Sequence, residues 1–462
     1  REFQVSGSSV FWGMNSRHDA VLDEESADIR SRLPLTNQPT QMDDTVMKIR
    51  RREFLAATAS LAAAGNAFCD EPGSKTPPTA DALQRAADAP LLNLKSLSDR
   101  ISIESMELLR RGGEFFVRVR SKDGLEGIAA ANSKKMRETY PIFLHRVAPF
   151  FIGKDARRIE SLLGDLYRSR SNYKLQGLAF WVCVAAAEIA ILDLLGKASQ
   201  KSIGELFGGV VRRDIPVYSA SGNRGNRPQK EIEYLKRLVS KTGARAIKFR
   251  LGGRMSNNRD SLRGRTEALI PLVRREFGDQ MTLYADSNSS YDVENAIRIG
   301  RLMEDNGYAF FEEPCPFDHI WDTKQVADKL TIPVAGGEQE FSMRRFRWAI
   351  QNRGVDIVQP DLHYFGGFIR STRVARMAAV AGMSCTVHMS GAGLGYLYVL
   401  HFASYVPNAG QHQEFKGAGS IPLECSTSDL ACHNGSIRVP SGPGFGVTIA
   451  ADYLRRASTV RL

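Results

Sequence analysis

The chain has 462 residues, 43% hydrophobic and 24% charged, the balance of a soluble globular enzyme with a large core. No apolar run reaches the roughly 20 residues that span a bilayer, which argues against an integral membrane protein. The formal charge of +11 favours anionic ligands. No basic run exceeds three residues and no binding motif is present, so the excess reads as a solvated surface, with no nucleic-acid partner.

In chain order, residues 1–46 precede Met47 and are expected to be an upstream, non-native segment outside the mature fold. Residues 47–69, MKIRRREFLAATASLAAAGNAFC, place a basic cluster before small apolar residues and a small-residue exit near Ala67. That is the layout of an export signal, and Arg51-Arg52-Glu53-Phe54-Leu55 resembles a bacterial twin-arginine signal, which predicts a periplasmic protein. Bulky Phe68 before Cys69 weakens a lipid-anchored reading. Residues 70–97, rich in Pro, Ala and Asp at their start, read as a linker.

Residues 98–210 begin with alternating stretches, ISIESMEL, FFVRVR, the turn SKDG and LEGIAAAN, a three-stranded antiparallel meander. The apolar helix WVCVAAAEIAILDLLGKA follows, so this part is α+β. Residues 211–418 change texture: eight short apolar strands alternate with amphipathic helices, the pattern of a parallel (β/α)8 barrel. The six cysteines show no metal-ligand spacing; Cys425 and Cys432 are close enough in sequence to close a small disulfide loop.

Asp286, Glu312, Glu338, Asp361, His388 and Glu414 recur at intervals of roughly 25 residues, one strand plus one helix and two loops. Each falls at the C-terminal end of its strand, where barrel enzymes build their sites. Three carboxylates converging from Asp286, Glu312 and Glu338 repel one another and need a counter-ion. All-oxygen donors favour Mg²⁺ first and Mn²⁺ second. In FFEEPCP, Glu312 and Glu313 point to opposite faces of a regular strand, so one alone can see that ion; spacing prefers Glu312 without deciding it. Asp361 beside His388 would fix the imidazole tautomer and make a general base. His319, His363, His401 and His412 have no such support and receive no role. Lys248 and Arg250, two apart in AIKFR, share one face and point into the barrel as anchors for an anion.

Taken together, K-F-R at 248–250, D-S-N at 286–288, E-E-P at 312–314, G-G-E at 336–338, Q-P-D at 359–361, the histidine of TVHMS and the glutamate of QHQEF resemble the enolase superfamily, mandelate racemase subgroup. The resemblance runs from about residue 98 to the end. It implies a modified (β/α)8 TIM barrel under an α+β capping domain, completed by residues 419–462. It also implies Asp286, Glu312 and Glu338 as Mg²⁺ ligands, Glu313 outside that set, the His388–Asp361 base dyad, and Glu414 as an electrophilic acid on the substrate carboxylate. The family usually assembles into homo-oligomers, which is the expectation here.

One departure matters. Racemases of this family carry a second lysine, a base, where this chain has Arg250. Arginine stays protonated and is a clamp rather than a base. The expected activity is therefore a Mg²⁺-dependent acid-sugar dehydratase acting on a sugar acid or other 2-hydroxy carboxylate. A racemase or epimerase comes second and a lactonising or cycloisomerase reading third, since the sixth strand ends in Asp361 and not lysine. An exported, non-catalytic sugar-acid-binding protein is the alternative of another class, and the dyad argues against it. Substrate contacts are expected from the loops near 108–114, with Arg110 and Arg111, and 131–136.

Overall fold

The computed structural model describes residues 78–462, except 176, 391, 392, 418 and 420. The expected upstream segment, the export signal and the start of the linker lie outside the described residues. The rest of the linker is structured. Ala80–Asp88 is a helix, capped by Thr79 Oγ1 accepting from Ala82 N at 3.2 Å. Leu83 and Ala87 are its buried face, and it lies on the helix Phe368–Val380. Nine residues are too few for a clear period to stand out from the composition around them.

The cap sheet joins β1 (Ile103–Arg111), β2 (Glu114–Ser121) and β3 (Glu126–Ala130) as an antiparallel meander. Its outer edge is covered by the short strand Ser458–Thr459, which pairs with Leu109 and Arg110. The helix Leu178–Ser199 presses on the other strands so closely that a Cβ on Gly127 would meet Ala190 O at 2.2 Å. This helix is long and apolar enough to cross a membrane, contrary to the sequence expectation that no run qualifies. In the structure it is largely buried, between cap sheet and barrel. A helix apolar all round suits either setting, and here protein surrounds it.

Eight parallel strands follow: β4 (Asp214–Ala220), β5 (Ala246–Arg250), β6 (Thr282–Asp286), β7 (Phe310–Glu312), β8 (Val334–Gly336), β9 (Ile357–Val358), β10 (Ser384–Cys385) and β11 (Gln413–Glu414). They neighbour one another in chain order, and β11 pairs with β4. An isolated parallel bridge from Cys385 to Ala409 closes the ring. Among the described residues seven helices link these eight strands. After β11 the chain instead returns through the strand Ser436–Arg438, antiparallel to β4, before reaching the cap. Cys425 and Cys432 are both free thiols, Cys425 beside Thr427 and Cys432 donating to Thr242 O at 3.3 Å, so no disulfide loop forms.

Period two decides what the barrel presents inward. Ile247, Phe249, Leu283, Ala285 and Phe311 belong to the core shared with the outer helices. Tyr218, Ala246, Tyr284, Phe310 and Ala335 form a separate inner floor, with Tyr284 stacked on Phe310 at 4.1 Å. Lys248, Arg250, Asp286 and Glu312 share the phase of that floor and stand above it.

Candidate active site

The ladder sets Arg250 beside Asp286 and Asp286 beside Glu312. Glu338 arrives differently. Strand β8 ends at Gly336, and Gly337, at φ +115°, turns the chain where a Cβ would strike the Phe346 ring at 2.7 Å. Ligand oxygens of Asp286, Glu312 and Glu338, all buried, lie within 4.8 Å of one another. Octahedral Mg²⁺ sets neighbouring oxygens about 3 Å and opposite ones about 4 Å apart. The triad fits one such ion. Glu338 Oε2, 3.2 Å from His388 Nε2, is buried with no aligned hydrogen-bond donor.

Two cations stand among these acids. Lys248 Nζ donates to both oxygens of Glu312 at 2.8 and 2.7 Å, with the Tyr218 ring centre 4.9 Å away. Gln359 Nε2 adds a donor to Glu312 at 3.2 Å, and Arg250 pairs with Asp286. Burial alone would lower the Lys248 pKa, but Glu312 and Glu414 outweigh it and hold the ammonium well above its ordinary range. Glu312 is correspondingly lowered despite its burial, by Lys248 and Arg250.

Asp361 is an acceptor from five directions. His363 N and Tyr364 N donate to Oδ1 at 2.7 Å each, and Ser390 Oγ at 3.1 Å. Ser390 N reaches Oδ2 at 2.6 Å and His388 Nδ1 lies 2.7 Å from it. An acceptor so saturated keeps a proton on His388 Nδ1, so the proton that the ring gives and takes is the one on Nε2, which faces Glu338 and Glu414 at 3.2 and 3.6 Å. Burial lowers the imidazole pKa, but Glu338, Asp361 and Glu414 outweigh it and push it up to about 9. A divalent cation on Glu338 would oppose that pull and return the ring toward neutral-pH basicity.

Glu414, fully buried at the end of β11, has Lys416 Nζ 2.5 Å from Oε1. Burial would raise its pKa, yet Lys248, Lys416, His388 and Arg250 hold it well below the carboxylate range. The electrophilic acid implied by resemblance is therefore ionised at rest. Glu313 stands outside the triad. It leaves the strand at φ +44°, accepts from Asn288 Nδ2 at 3.2 Å, and is pushed up to about 8 by burial and then by Glu338.

Of the two cap loops expected at the site, one arrives. Asn132 Nδ2 donates to Ser390 Oγ and O at 2.8 and 3.2 Å, tying the cap to the donor that steadies Asp361. Arg110 and Arg111 have their contacts within the cap and its returning segment: Arg110 donates to Gly112 O and lies over Phe115, and Arg111 lies over Tyr453. Asn132 belongs to the expected 131–136 loop, and Asn288 and Gln359 to the D-S-N and Q-P-D motifs without a role assigned there; Lys416 and Ser390 have no such signal. Period two carried past Glu414 would have found Lys416; the others sit in loops that carry no period.

Comparison with known proteins agrees with this geometry. Residues 104–208 match the mandelate racemase/muconate lactonizing enzyme N-terminal domain, and residues 230–453 the enolase C-terminal domain-like family. An arabinonate dehydratase from Saccharolobus solfataricus is 26% identical over 335 residues, covering 72% of this chain and 87% of that protein. A crystal structure of a provisionally named racemase from Roseobacter denitrificans is 34% identical, with a TM-score of 0.73 over 78% of this chain and 99% of that one. A mandelate racemase/muconate lactonizing protein from Paracoccus denitrificans PD1222, crystallised with magnesium, is 26% identical with a TM-score of 0.70 over 78% and 99% of the two chains. With both domains and the carboxylate triad accounted for, the chain belongs to the mandelate racemase/muconate lactonizing enzyme family of the enolase superfamily.

Proposed function

We propose that this protein is a magnesium-dependent dehydratase of sugar acids, with Asp286, Glu312 and Glu338 holding the ion. One observation carries the reading: a single oriented base, His388 on Asp361, shares the site with two cations unable to act as bases, Lys248 and Arg250. His388 Nε2 takes the proton α to the substrate carboxylate, and the electron pair moves into that carboxylate. Bound Mg²⁺ supplies positive charge for those oxygens. The pair then returns, the β C–O bond breaks, and the hydroxyl leaves as water with the proton from His388. The resulting enol becomes a 2-keto-3-deoxy acid. Lys248 and Arg250 hold the anionic end throughout. Glu414 becomes a proton carrier once a bound carboxylate takes up the charge of Lys248.

General base catalysis supplies about 10²–10⁴-fold of the 10⁶ or more that enzymes reach, so the fixed charges must supply the rest. The arabinonate dehydratase relative supports the same reaction class. A racemase needs a base on each face of the α-carbon, and the ion pairs of Lys248 and Arg250 disfavour it. The test is a set of sugar acids with Mg²⁺ in D₂O. Loss of water to a 2-keto-3-deoxy acid is expected, with deuterium entering recovered substrate only with retention. Inverted, deuterated substrate would put the racemase first.

We further propose export through segment 47–69 and assembly into homo-oligomers. Replacing Arg51 and Arg52 by Lys should leave unprocessed protein in the cytoplasm. Unchanged export would end the twin-arginine reading. Sedimentation of the purified chain tests assembly, and a monomer at micromolar concentration would exclude it.

A further inference from the structure

A second constellation at the barrel mouth takes no part in the chemistry above. Arg224, in the loop after β4, and Arg254, in the loop after β5, donate to one oxygen, Asn288 Oδ1, at 2.6 and 3.1 Å. The orientation of that amide is fixed. Its Nδ2 donates to Asp286 and Glu313 at 3.1 and 3.2 Å, so the oxygen must face the arginines. Among the described residues neither Arg224 nor Arg254 has a carboxylate within ion-pair distance, while Arg224 Nε is buried without a hydrogen-bond partner. Burial, then the neighbouring guanidiniums of Arg250, Arg254 and Arg265, push Arg224 down to about 9. Tyr364, in the loop after β9, also feels the charge of Arg254.

Two guanidiniums gathered on one neutral amide repel each other and gain only one acceptor between them. A planar, doubly accepting anion would satisfy both forks at once. Asn288 itself bonds to Asp286, so this point lies one amide beyond the carboxylate triad. Arg250, at the end proposed for the first carboxylate, is near enough for its charge to act on Arg224. Arg110 and Arg111, by contrast, have their contacts elsewhere.

We propose that Arg224 and Arg254 form a subsite for a second carboxylate, so that the preferred substrate is a sugar diacid and not the matching monoacid. The proposal rests on the dehydratase reading for where the first carboxylate binds. It is tested with hexaric and hexonic acids of matched stereochemistry, using the full chain with Mg²⁺, by kcat/KM and by calorimetric binding. The wild type should prefer the diacid by about tenfold or more, the worth of a charge-assisted hydrogen bond or two. Arg224→Gln and, separately, Arg254→Gln should bring that ratio close to one. Arg254 is exposed, so its replacement does not threaten folding. Equal preference in the wild type, or an unchanged ratio in both variants, overturns the subsite. If neither acid is turned over, the dehydratase reading falls and binding decides the subsite alone. Tighter diacid binding that Arg254→Gln weakens upholds it, and equal binding of the two acids overturns it.

Discussion

Two regions of the molecule bury carboxylates, and they treat them in opposite ways. On the helix Leu178–Ser199, Glu188 accepts from Phe368 N and Ile369 N at 3.1 and 2.7 Å, capping the start of a barrel helix. Gly367 makes room for it, because a Cβ there would sit 2.2 Å from Glu188 Oε2. Asp193 accepts from Ile128 N and Phe445 N at 2.9 and 3.2 Å and pairs with Lys197 at 2.7 Å, stitching β3, this helix and the returning segment together. At the barrel mouth, Glu338 Oε2, Glu313 Oε1 and both oxygens of Glu414 lack an aligned hydrogen-bond donor. Acids that hold the fold are saturated by backbone N–H groups. At the mouth Asp361 is held in the same way, whereas Glu338 beside His388 and Glu414 beside Lys416 meet side-chain cations and keep valences open for something not made of protein.

If that contrast is right, function and stability should separate on mutation. The largest effect belongs to the triad: Asp286→Asn, Glu312→Gln or Glu338→Gln should each cost about 10³-fold or more in kcat/KM. Each should also weaken Mg²⁺ binding by calorimetry. Glu338→Gln, which breaks no ion pair with a lysine or arginine, should do so with little loss of thermal stability, because a like charge has gone. Asp286→Asn and Glu312→Gln strand Arg250 and Lys248 and should also lower stability. Glu313→Gln should be much milder on both counts. Should Glu313 prove essential and Glu312 dispensable, the inward phase of β7 would have to be redrawn.

Next comes His388→Asn, which should remove the 10²–10⁴-fold contribution of a general base. Exchange of the α-proton and loss of water should vanish together. Exchange that survives would reveal a second base, Lys248 being the first suspect.

The seam should respond in reverse. Glu188→Ala strands two buried N–H groups and should cost about 2–4 kcal/mol in urea unfolding, while kcat/KM of the folded fraction stays near wild type. A loss of turnover larger than the loss of stability would mean that this acid also shapes the site.

A graded, pH-dependent effect sharpens the same boundary. His401 is buried with Nε2 3.0 Å from Phe445 O, and burial pushes its pKa down to about 4. The unfolded chain then takes up the proton first. The stability His401 lends is complete above its unfolded pKa near 6.5 and drains away as pH falls toward about 4, at up to about 1.4 kcal/mol per unit. His412 is lowered to about 4 by burial as well. Thermal unfolding between pH 7 and 4 should show the decline, and His401→Gln should flatten part of it.

How much of this could be read beforehand follows from where periodicity exists. The eight strands and the inward phase of Lys248, Arg250, Asp286 and Glu312 follow from alternation within short apolar runs. Glu338 and Glu313 lie just past strand ends, where positive φ and not alternation sets direction. Arg224, Arg254 and Lys416 belong to loops, and their partners are known only once distant strands are side by side. The seam acids were hidden by their surroundings, since Glu188 and Asp193 in an apolar run look like interruptions until their backbone donors are in place.

The pairing of Ser458–Thr459 with β1 has a consequence in time. Strand β1 leaves the ribosome when most of the chain is still unmade, and at 5–20 residues per second its edge partner follows only after on the order of tens of seconds. Throughout that interval the cap sheet offers an unpaired edge, the geometry on which neighbouring nascent chains add strands. A deletion of residues 456–462 should therefore reveal itself first as lost soluble yield during synthesis, with activity per folded molecule changing far less.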